Sequence, residues 1–460
     1  AYGKKRVKKS TLFLFDRTEN FAYNQFIKRN VSICLFIKNR KGDILSFMKN
    51  GKFLSDVLDT SCFRYGALNL ITAPCGCGKT TASINKIAPL VSCPRKALYL
   101  IDTKNGNERL AKNSALTMPY HFYEESVSNR YFCEEELEPN KIVITTYAQF
   151  GVWAKHNPDF AAFFEVILCD EIHNLVIFPT FHKDKTQPNY AEIARNAIIN
   201  TVWGGKTLIV GMTATPEPLS RLSCPQNSIS IDTASLRQYE NKTIIRYSGI
   251  RQVLERLPPN QKGAVYVARI EQMKEIEALA RQAGRKPICV WSTANEAHPM
   301  TEEQLAARTY ILEHEEVPPQ YDLFLFNASC ETAINLYGSL SFFILHTSKE
   351  TSITQARGRY RGDLETLYLY DPEEGEIWVP EAFLDVRLFT KDKEILRGRL
   401  GIRLPSAKGK PISYEKLFDR LQKCGYTIQN GREKNLRFIV IGKIEKQKSS
   451  NSIFNDSVGS

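Results

Sequence analysis

Short, nearly unbroken apolar runs recur along this chain, with helix-length segments between them. The first series is ALNLI (67–71), ALYLI (97–101), IVITT (142–146), EVILCD (165–170) and TLIVGM (207–212). A strand apolar on both sides must be covered on both faces, which is the signature of a parallel sheet between helical layers. Tyr190–Val202 (YAEIARNAIINTV) has the length and pattern of one such helix. A second series follows: TIIRY (243–247), GAVYVA (263–268), PICVW (287–291), DLFLF (322–326), FFILH (342–346) and TLYLY (366–370). Helical patterns over Glu271–Ala283 and Thr301–His314 separate some of these runs. The expected fold class is therefore α/β, with two parallel-sheet units in tandem. A chain of 460 residues is also too long for a single core. The expected division is a basic N-terminal extension (1–64), a first unit (65–240), a second unit (241–375) and a C-terminal accessory region (376–460) with a loose tail.

Charge is concentrated at the two ends. Residues 1–52 hold 13 Lys and Arg against 3 Asp and Glu, and residues 391–460 hold 16 against 7. The overall charge is +12, so the body between the ends is acidic. Two basic ends fit a polyanionic partner such as nucleic acid. No apolar stretch is long enough to span a membrane. The basic start (AYGKKRVKKS) is not followed by the apolar run and cleavage site of a secretory signal, so an intracellular, cytoplasmic location is expected. Eleven irregularly spaced cysteines fit reduced thiols better than a disulfide framework or a metal site.

The first apolar run leads into TAPCGCGKTT (72–81), and Lys79–Leu90 can continue as a helix. A glycine-rich loop between strand and helix is where backbone N–H groups converge on phosphate. Ala73, Pro74, Cys75, Gly76, Cys77, Gly78, Lys79, Thr80 and Thr81 are the candidate ATP-binding residues, with Ala73 where the full pattern has glycine. Lys79 would neutralise the β- and γ-phosphates and Thr80 would ligate Mg²⁺. The fourth run ends in Asp170-Glu171-Ile172-His173. There Asp170 would hold Mg²⁺ and Glu171 would orient and deprotonate the attacking water. The fifth run ends in Thr213-Ala214-Thr215, whose hydroxyls can join this acidic site to whatever moves.

In this order the motifs resemble superfamily 2 helicases and translocases of the DExH type. GCGKT looks like motif I of that family, DEIH like motif II and TAT like motif III. ITTYAQF (144–150) resembles the region that touches the nucleic-acid backbone, which implicates Thr146 and Tyr147. QARGRYR (355–361) is similar to motif VI, of QxxGRxR form. The resemblance implies two RecA-like domains, with Gln355 lining the cleft and Arg359 or Arg361 acting as the arginine finger. Ser329–Leu336 resembles motif V and brings in Thr332 and Asn335 as coupling residues beside His173, Thr213 and Thr215. His173 would bridge to Gln355, or else be a satisfied histidine at a strand end. The resemblance covers about Leu68–Asp371.

Beyond it, Ser413–Cys424 reads as an amphipathic helix with Leu417 and Leu421 inward and Lys416, Arg420 and Lys423 on another face. A turn over Gln429–Glu433 and a strand over Asn435–Ile441 would complete either a small winged-helix-like nucleic-acid module or a plain α+β cap on the second unit. The N-terminal FAYNQFIKRN (21–30) mixes cations with aromatics that can stack on bases. The sequence therefore reads as an ATP- and Mg²⁺-dependent nucleic-acid helicase or translocase, with DNA favoured over RNA, working in replication, repair or mobile-element maintenance. The alternatives are a DNA-binding replication initiator that uses its ATPase as a switch, and a duplex translocase that does not separate strands.

Overall fold

The computed structural model describes residues 51–102, 110, 115–124, 130–182, 186–293, 295–328, 334–403 and 411–444. The Phe21–Asn30 stretch, Thr332 and the Ser/Asn-rich tail lie outside the described residues.

Two parallel sheets carry the molecule. The first contains β1 (Leu68–Thr72), β2 (Ala97–Ile101), β3 (Tyr120–Tyr123), β4 (Ile142–Thr146), β5 (Val166–Cys169), β6 (Leu208–Thr213) and β7 (Gln226–Ile229). Their spatial order is β3-β4-β2-β5-β6-β1-β7, and every pairing is parallel. The second contains β8 (Asn241–Tyr247), β9 (Gly263–Val267), β10 (Pro287–Val290), β11 (Leu323–Phe326), β12 (Phe342–His346) and β13 (Leu364–Tyr370). Its order is β10-β11-β9-β12-β13-β8, again parallel throughout. These are two tandem parallel-sheet α/β domains, followed by a small antiparallel sheet.

The central strands divide their side chains between two helical layers with a period of two. In β2, Leu98 and Leu100 join one core while Ala97, Tyr99 and Ile101 join the other. In β11, Phe324 and Phe326 face one layer and Leu323 and Leu325 the opposite one. Each of these leucine, isoleucine and phenylalanine side chains contributes about 1.5–3 kcal/mol on burial. The helix Tyr190–Gly204 starts at Asn189, whose Oδ1 accepts the Glu192 N–H, and stops at Gly205 with φ 66°. Three strands are absent from the expected set: the half-buried edge strand β3, the polar edge strand β7, and the first strand of the C-terminal hairpin.

That hairpin pairs β14 (Tyr426–Glu433) with β15 (Leu436–Lys443) in antiparallel register. The segment expected to turn at Gln429–Glu433 is thus strand, and the turn lies at Lys434–Asn435. Helices Thr390–Leu400 and Tyr414–Lys423 pack on the hairpin around Leu396, Leu400, Leu417, Leu421, Ile439 and Ile441. Lys416 and Lys423 are exposed, and Lys423 pairs with Asp419 at 2.9 Å.

Arg420 corrects the expected basic face. It is buried, donating to the carbonyls of Pro372 at 2.5 Å and Gly375 at 2.7 Å and to the Ser248 hydroxyl. Its position at i+3 from Leu417 places it on the apolar stripe, so its guanidinium bolts the C-terminal module to the second domain. We expect Arg420→Ala to lower stability by roughly 2–4 kcal/mol, because the buried acceptors lose their donor. Lys416→Ala and Lys423→Ala should shift the urea midpoint little, and the same denaturation series compares all three.

Inside the second domain, His346 of β12 is buried, with Nδ1 2.8 Å from the Tyr247 hydroxyl and its ring 4.3 Å from that of Tyr370. Burial pushes its imidazole down to about 4. The unfolded chain therefore takes up a proton near pH 6.5 that the folded chain refuses. The contribution is complete above about pH 6.5 and is lost as pH falls toward 4, to a total of about 3 kcal/mol. A difference profile of stability against pH for parent and His346→Gln should diverge over that window; parallel profiles would contradict it.

Candidate functional site

β5, β6 and β1 are neighbours in the first sheet, so their carboxyl ends deliver three loops to one place. The ladder continues one step beyond β1, where Ala73 N–H donates to the Thr213 carbonyl at 3.0 Å. Ala73 is buried and is not among the residues with positive φ, so its Cβ is tolerated where the motif has glycine. The strict requirement falls on Gly76. Its φ is 84°, and a Cβ there would lie 2.7 Å from Tyr239 Cε2 and 2.8 Å from Arg361 Nη1. The helix starts at Lys79 behind Gly78, and Thr80, half-buried, follows in its first turn. The expected single helix over Lys79–Leu90 is an α turn to Ala82, a π run over Ser83–Ile87 and a 3₁₀ turn over Ala88–Leu90.

Lys79 Nζ donates to the carbonyls of Ala73 (3.2 Å) and Pro74 (3.3 Å) and lies 3.9 Å from Glu171 Oε1. Asp170 is buried, and its Oδ1 accepts the Glu171 N–H at 3.2 Å. Glu171 has φ 42°, a left-handed conformation that a non-glycine residue adopts at a cost. That turn aims its carboxylate across the site. Burial opposes the charge on both Lys79 and Glu171, but their attraction prevails. Lys79 is held above its usual pKa by Glu171, and Glu171 below its own by Lys79, His173 and Arg359. His173 is pushed down by burial, more than Glu171 raises it. At neutral pH the site thus holds an ammonium, a carboxylate and a neutral imidazole.

The second domain supplies the facing wall, from the helix Glu350–Arg357 and the residues after it. Gln355 Nε2 lies 3.3 Å from Glu171 Oε2 and 3.5 Å from Thr215 Oγ1. Arg359 Nη2 donates to Gln355 Oε1 at 3.4 Å. Arg361 donates through Nε and Nη2 to Asn335 Oδ1, both at 3.3 Å, while its buried Nη1 has no hydrogen-bond partner among the described residues. That free N–H lies against Gly76 of the loop. His173 does not make the bridge to Gln355: its Nδ1 sits 2.9 Å from Thr213 Oγ1 and 3.4 Å from Glu171 Oε2. Thr213 Oγ1 in turn accepts the Thr215 N–H at 2.9 Å.

Two expected nucleic-acid contacts point elsewhere. Thr146 is buried and caps the helix Tyr147–His156 by accepting the Gln149 N–H. Tyr147 is also buried, and its hydroxyl donates to the Asp170 carbonyl at 2.8 Å. Tyr147 thus holds the acidic strand end and Thr146 its own helix, and both side chains are buried. Conversely, three residues that no motif flagged gather at the loop. Phe53 lies 3.2 Å from a Cβ placed on Gly78, Tyr239 lies beside Gly76, and Arg237 sits 5.7 Å and 5.4 Å from the Phe53 and Tyr239 ring centroids. They come from the flanks of the first domain, where only the folded chain brings them to the loop.

Among curated proteins, none matches the sequence. In fold, the chain is similar to Mycobacterium smegmatis helicase Lhr bound to ssDNA and AMP-PNP, at 13% identity and TM-score 0.43, over 66% of this chain and 44% of that one. It therefore spans less than half the length of that protein. S. cerevisiae Dbp5 bound to RNA and ADP BeF3 aligns at 10% identity and TM-score 0.44, over 73% of this chain and 84% of its own. The DUF1998 helicase MrfA bound to DNA gives 14% identity and TM-score 0.45, over 81% of this chain and 58% of its own. Residues 47–218, which include the loop, both acids and the TAT segment, match the family described as Type III restriction enzyme, res subunit. The similarity to that family thus covers the first sheet domain and stops before the second.

Proposed function

We propose that this protein is a nucleic-acid-dependent ATPase, a helicase or translocase that hydrolyses ATP with Mg²⁺ between its two sheet domains. The reading rests above all on Gln355, which reaches from the second domain to Glu171 and Thr215 of the first at 3.3 and 3.5 Å. A side chain bonded at once to the prospective base and to the TAT hydroxyl can report nucleotide state across the cleft. We assign the units to 65–240, 241–375 and 376–460.

In this reading Ala73 to Thr81 wrap the triphosphate, and Lys79 gives up its loop carbonyls for phosphate oxygens. Glu171, kept ionised by Lys79, takes the proton of the attacking water. Thr80 and Asp170 offer the hydroxyl and carboxylate oxygens that suit Mg²⁺, which neutralises charge on the β- and γ-phosphates when bound. Arg361, oriented by Asn335, brings its unpaired Nη1 to the charge that develops on the transferring group. Arg359 holds Gln355 and stands one step back, so Arg361 is the finger. Thr213 and His173 link this centre to the third loop. Phe53, Tyr239 and Arg237 form the platform for the base. DNA is the favoured partner over RNA, met through phosphate contacts by the basic ends, in a cytoplasmic role in replication, repair or mobile-element maintenance.

Two variants separate binding from chemistry. Lys79→Ala should abolish ATP turnover with the fold intact by circular dichroism, and Glu171→Gln should retain ATP binding while losing hydrolysis. Parental turnover in either variant would remove that residue from its role. Arg361→Ala should keep ATP affinity and lower kcat by roughly 10³-fold or more, as for other arginine fingers. If Arg359→Ala shows the larger kcat defect and Arg361→Ala none, the assignment of the finger is reversed. Stimulation by single-stranded DNA, duplex DNA and RNA, followed by strand displacement from tailed duplexes, tests the partner directly.

A further inference from the structure

Arg359 and Arg361 belong to the site, but the segment that carries them holds a third arginine, Arg357, which ends the helix Glu350–Arg357. Its guanidinium donates through all three of its nitrogens. Nη1 bonds the Tyr360 carbonyl and Nη2 the Gly362 carbonyl, both at 3.0 Å. Those carbonyls belong to the residues just before and just after Arg361, so one planar fork holds the backbone on both sides of it. Nε donates to Asn241 Oδ1 at 2.7 Å, and Nη2 also to the Glu240 carbonyl at 3.2 Å. Asn241 opens β8, and Glu240 is the last residue of the connector 230–240 that leads from β7 of the first domain to the second. The same two segments are joined again by Glu240, whose N–H donates to Asp363 Oδ1 and whose carbonyl accepts the Leu364 N–H, both at 2.9 Å. Burial pushes the Arg357 guanidinium down to about 10, which leaves it charged at neutral pH.

The connector is also held to the opposite wall. Lys52 N–H donates to the Ser235 carbonyl and Arg237 N–H to the Lys52 carbonyl, both at 2.9 Å, and the Tyr239 ring lies against Gly76 of the loop. The chain thus passes from loop wall to arginine segment within three residues, Tyr239 to Asn241. We propose that Arg357 is a positioning residue: it pins the peptide groups flanking Arg361 to the end of the connector, so that the placement of the finger follows the connector. The inference rests on Arg361 as the finger of the activity proposed above, and adds what sets its position. A second tie, from the Arg361 N–H to the Leu336 carbonyl at 2.8 Å, joins the finger to the interior of its own domain. Arg357 alone among the three arginines bonds the connector side as well. Lysine could not take over, because an ammonium on a flexible stem lacks the planar fork that meets four acceptors at once.

The test uses the full chain, with steady-state ATP hydrolysis and AMP-PNP affinity measured separately. The nucleic acid present is whichever of single-stranded DNA, duplex DNA and RNA stimulates the parent most. Arg357→Lys keeps the charge and loses the fork. We expect its kcat to fall by about 10²-fold, the cost of a reacting group misplaced by about 1 Å, with AMP-PNP affinity unchanged. Arg361→Ala supplies the reference defect. Because Arg357 acts through the finger, Arg357→Lys/Arg361→Ala should turn over at the rate of Arg361→Ala alone. Asn241→Ala removes the connector's side-chain acceptor and leaves Arg357 in place. It should lower kcat in the same direction, and that effect too should vanish in the Arg361→Ala background; it carries the test if Arg357→Lys does not fold. Parental kcat in Arg357→Lys or in Asn241→Ala, defects that multiply in the double variants, or a loss of AMP-PNP affinity as large as the loss of kcat would overturn the proposal. Where the parent hydrolyses ATP and Arg361→Ala is impaired, such a result sinks this inference alone. A parent without ATP turnover, or Arg361→Ala at the parental rate, sinks the reading of the site beneath it.

Discussion

The site exists because glycine backbone on each wall lets a side chain of the other wall come close. A Cβ on Gly76 would stand 2.8 Å from Arg361 Nη1, and a Cβ on Gly358 would stand 2.5 Å from that of Cys75. Both glycines lie at the line where the loop of the first domain meets the arginine segment of the second. The Cys75 Cβ cannot swing aside, so alanine at Gly358 would press the walls apart, whereas at Gly76 the φ of 84° is what excludes a side chain. Every polar contact across the line depends on that approach. Gln355 reaches Glu171 at 3.3 Å, already near the limit of a useful hydrogen bond, and a shift of about half an ångström would break it.

The charges at this line are not there for stability. Removing an ammonium and a carboxylate from water costs several kcal/mol per ion, and at 3.9 Å Lys79 and Glu171 recover only part of it. The strained backbone at Glu171 adds to the cost. A core that only had to be stable would place apolar residues here. The arrangement instead suits a substrate whose own charge completes the balance: a polyphosphate brings the negative charge that Lys79, Arg359 and Arg361 lack, and it offers Arg361 Nη1 an acceptor. His173 is kept neutral chiefly by its burial, with repulsion from Lys79 and Arg359 adding to it.

Much of this could be read from the chain because the strands near the site are buried on both faces. Such strands show continuous apolar runs, and β2, β4 and β12 fall on ALYLI, IVITT and FFILH to the residue. The loops follow from their strands, so Lys79, Asp170, Glu171, Gln355 and Arg361 meet as their order implied. What escaped was direction and edge. β3 and β7 are edge strands, where a half-buried or polar pattern looks like loop. β14 contains Asn430 and Gly431, residues of turn chemistry, but the real turn beyond them has no glycine. Tyr147 and Arg420 carry groups that can bind nucleic acid, yet identity does not say which way a side chain points. In Arg420 the clue was spacing, since i+3 from Leu417 and i−1 from Leu421 puts it within the buried stripe.

The same buried arginine determines how motion at the cleft can travel. Arg420 ties the Tyr414–Lys423 helix to the Pro372–Gly375 turn, and Gln252 of the second domain donates to the Leu400 carbonyl while accepting the Trp378 N–H. The Tyr426 hydroxyl accepts the Val379 N–H at 3.1 Å, which brings in the hairpin itself. These attachments join the C-terminal module to the second sheet, whereas Gln355 crosses the site on hydrogen bonds of 3.3 and 3.5 Å. A cycle of nucleotide binding and release would therefore act at the Gly76–Arg361 line, the weakest seam in the network.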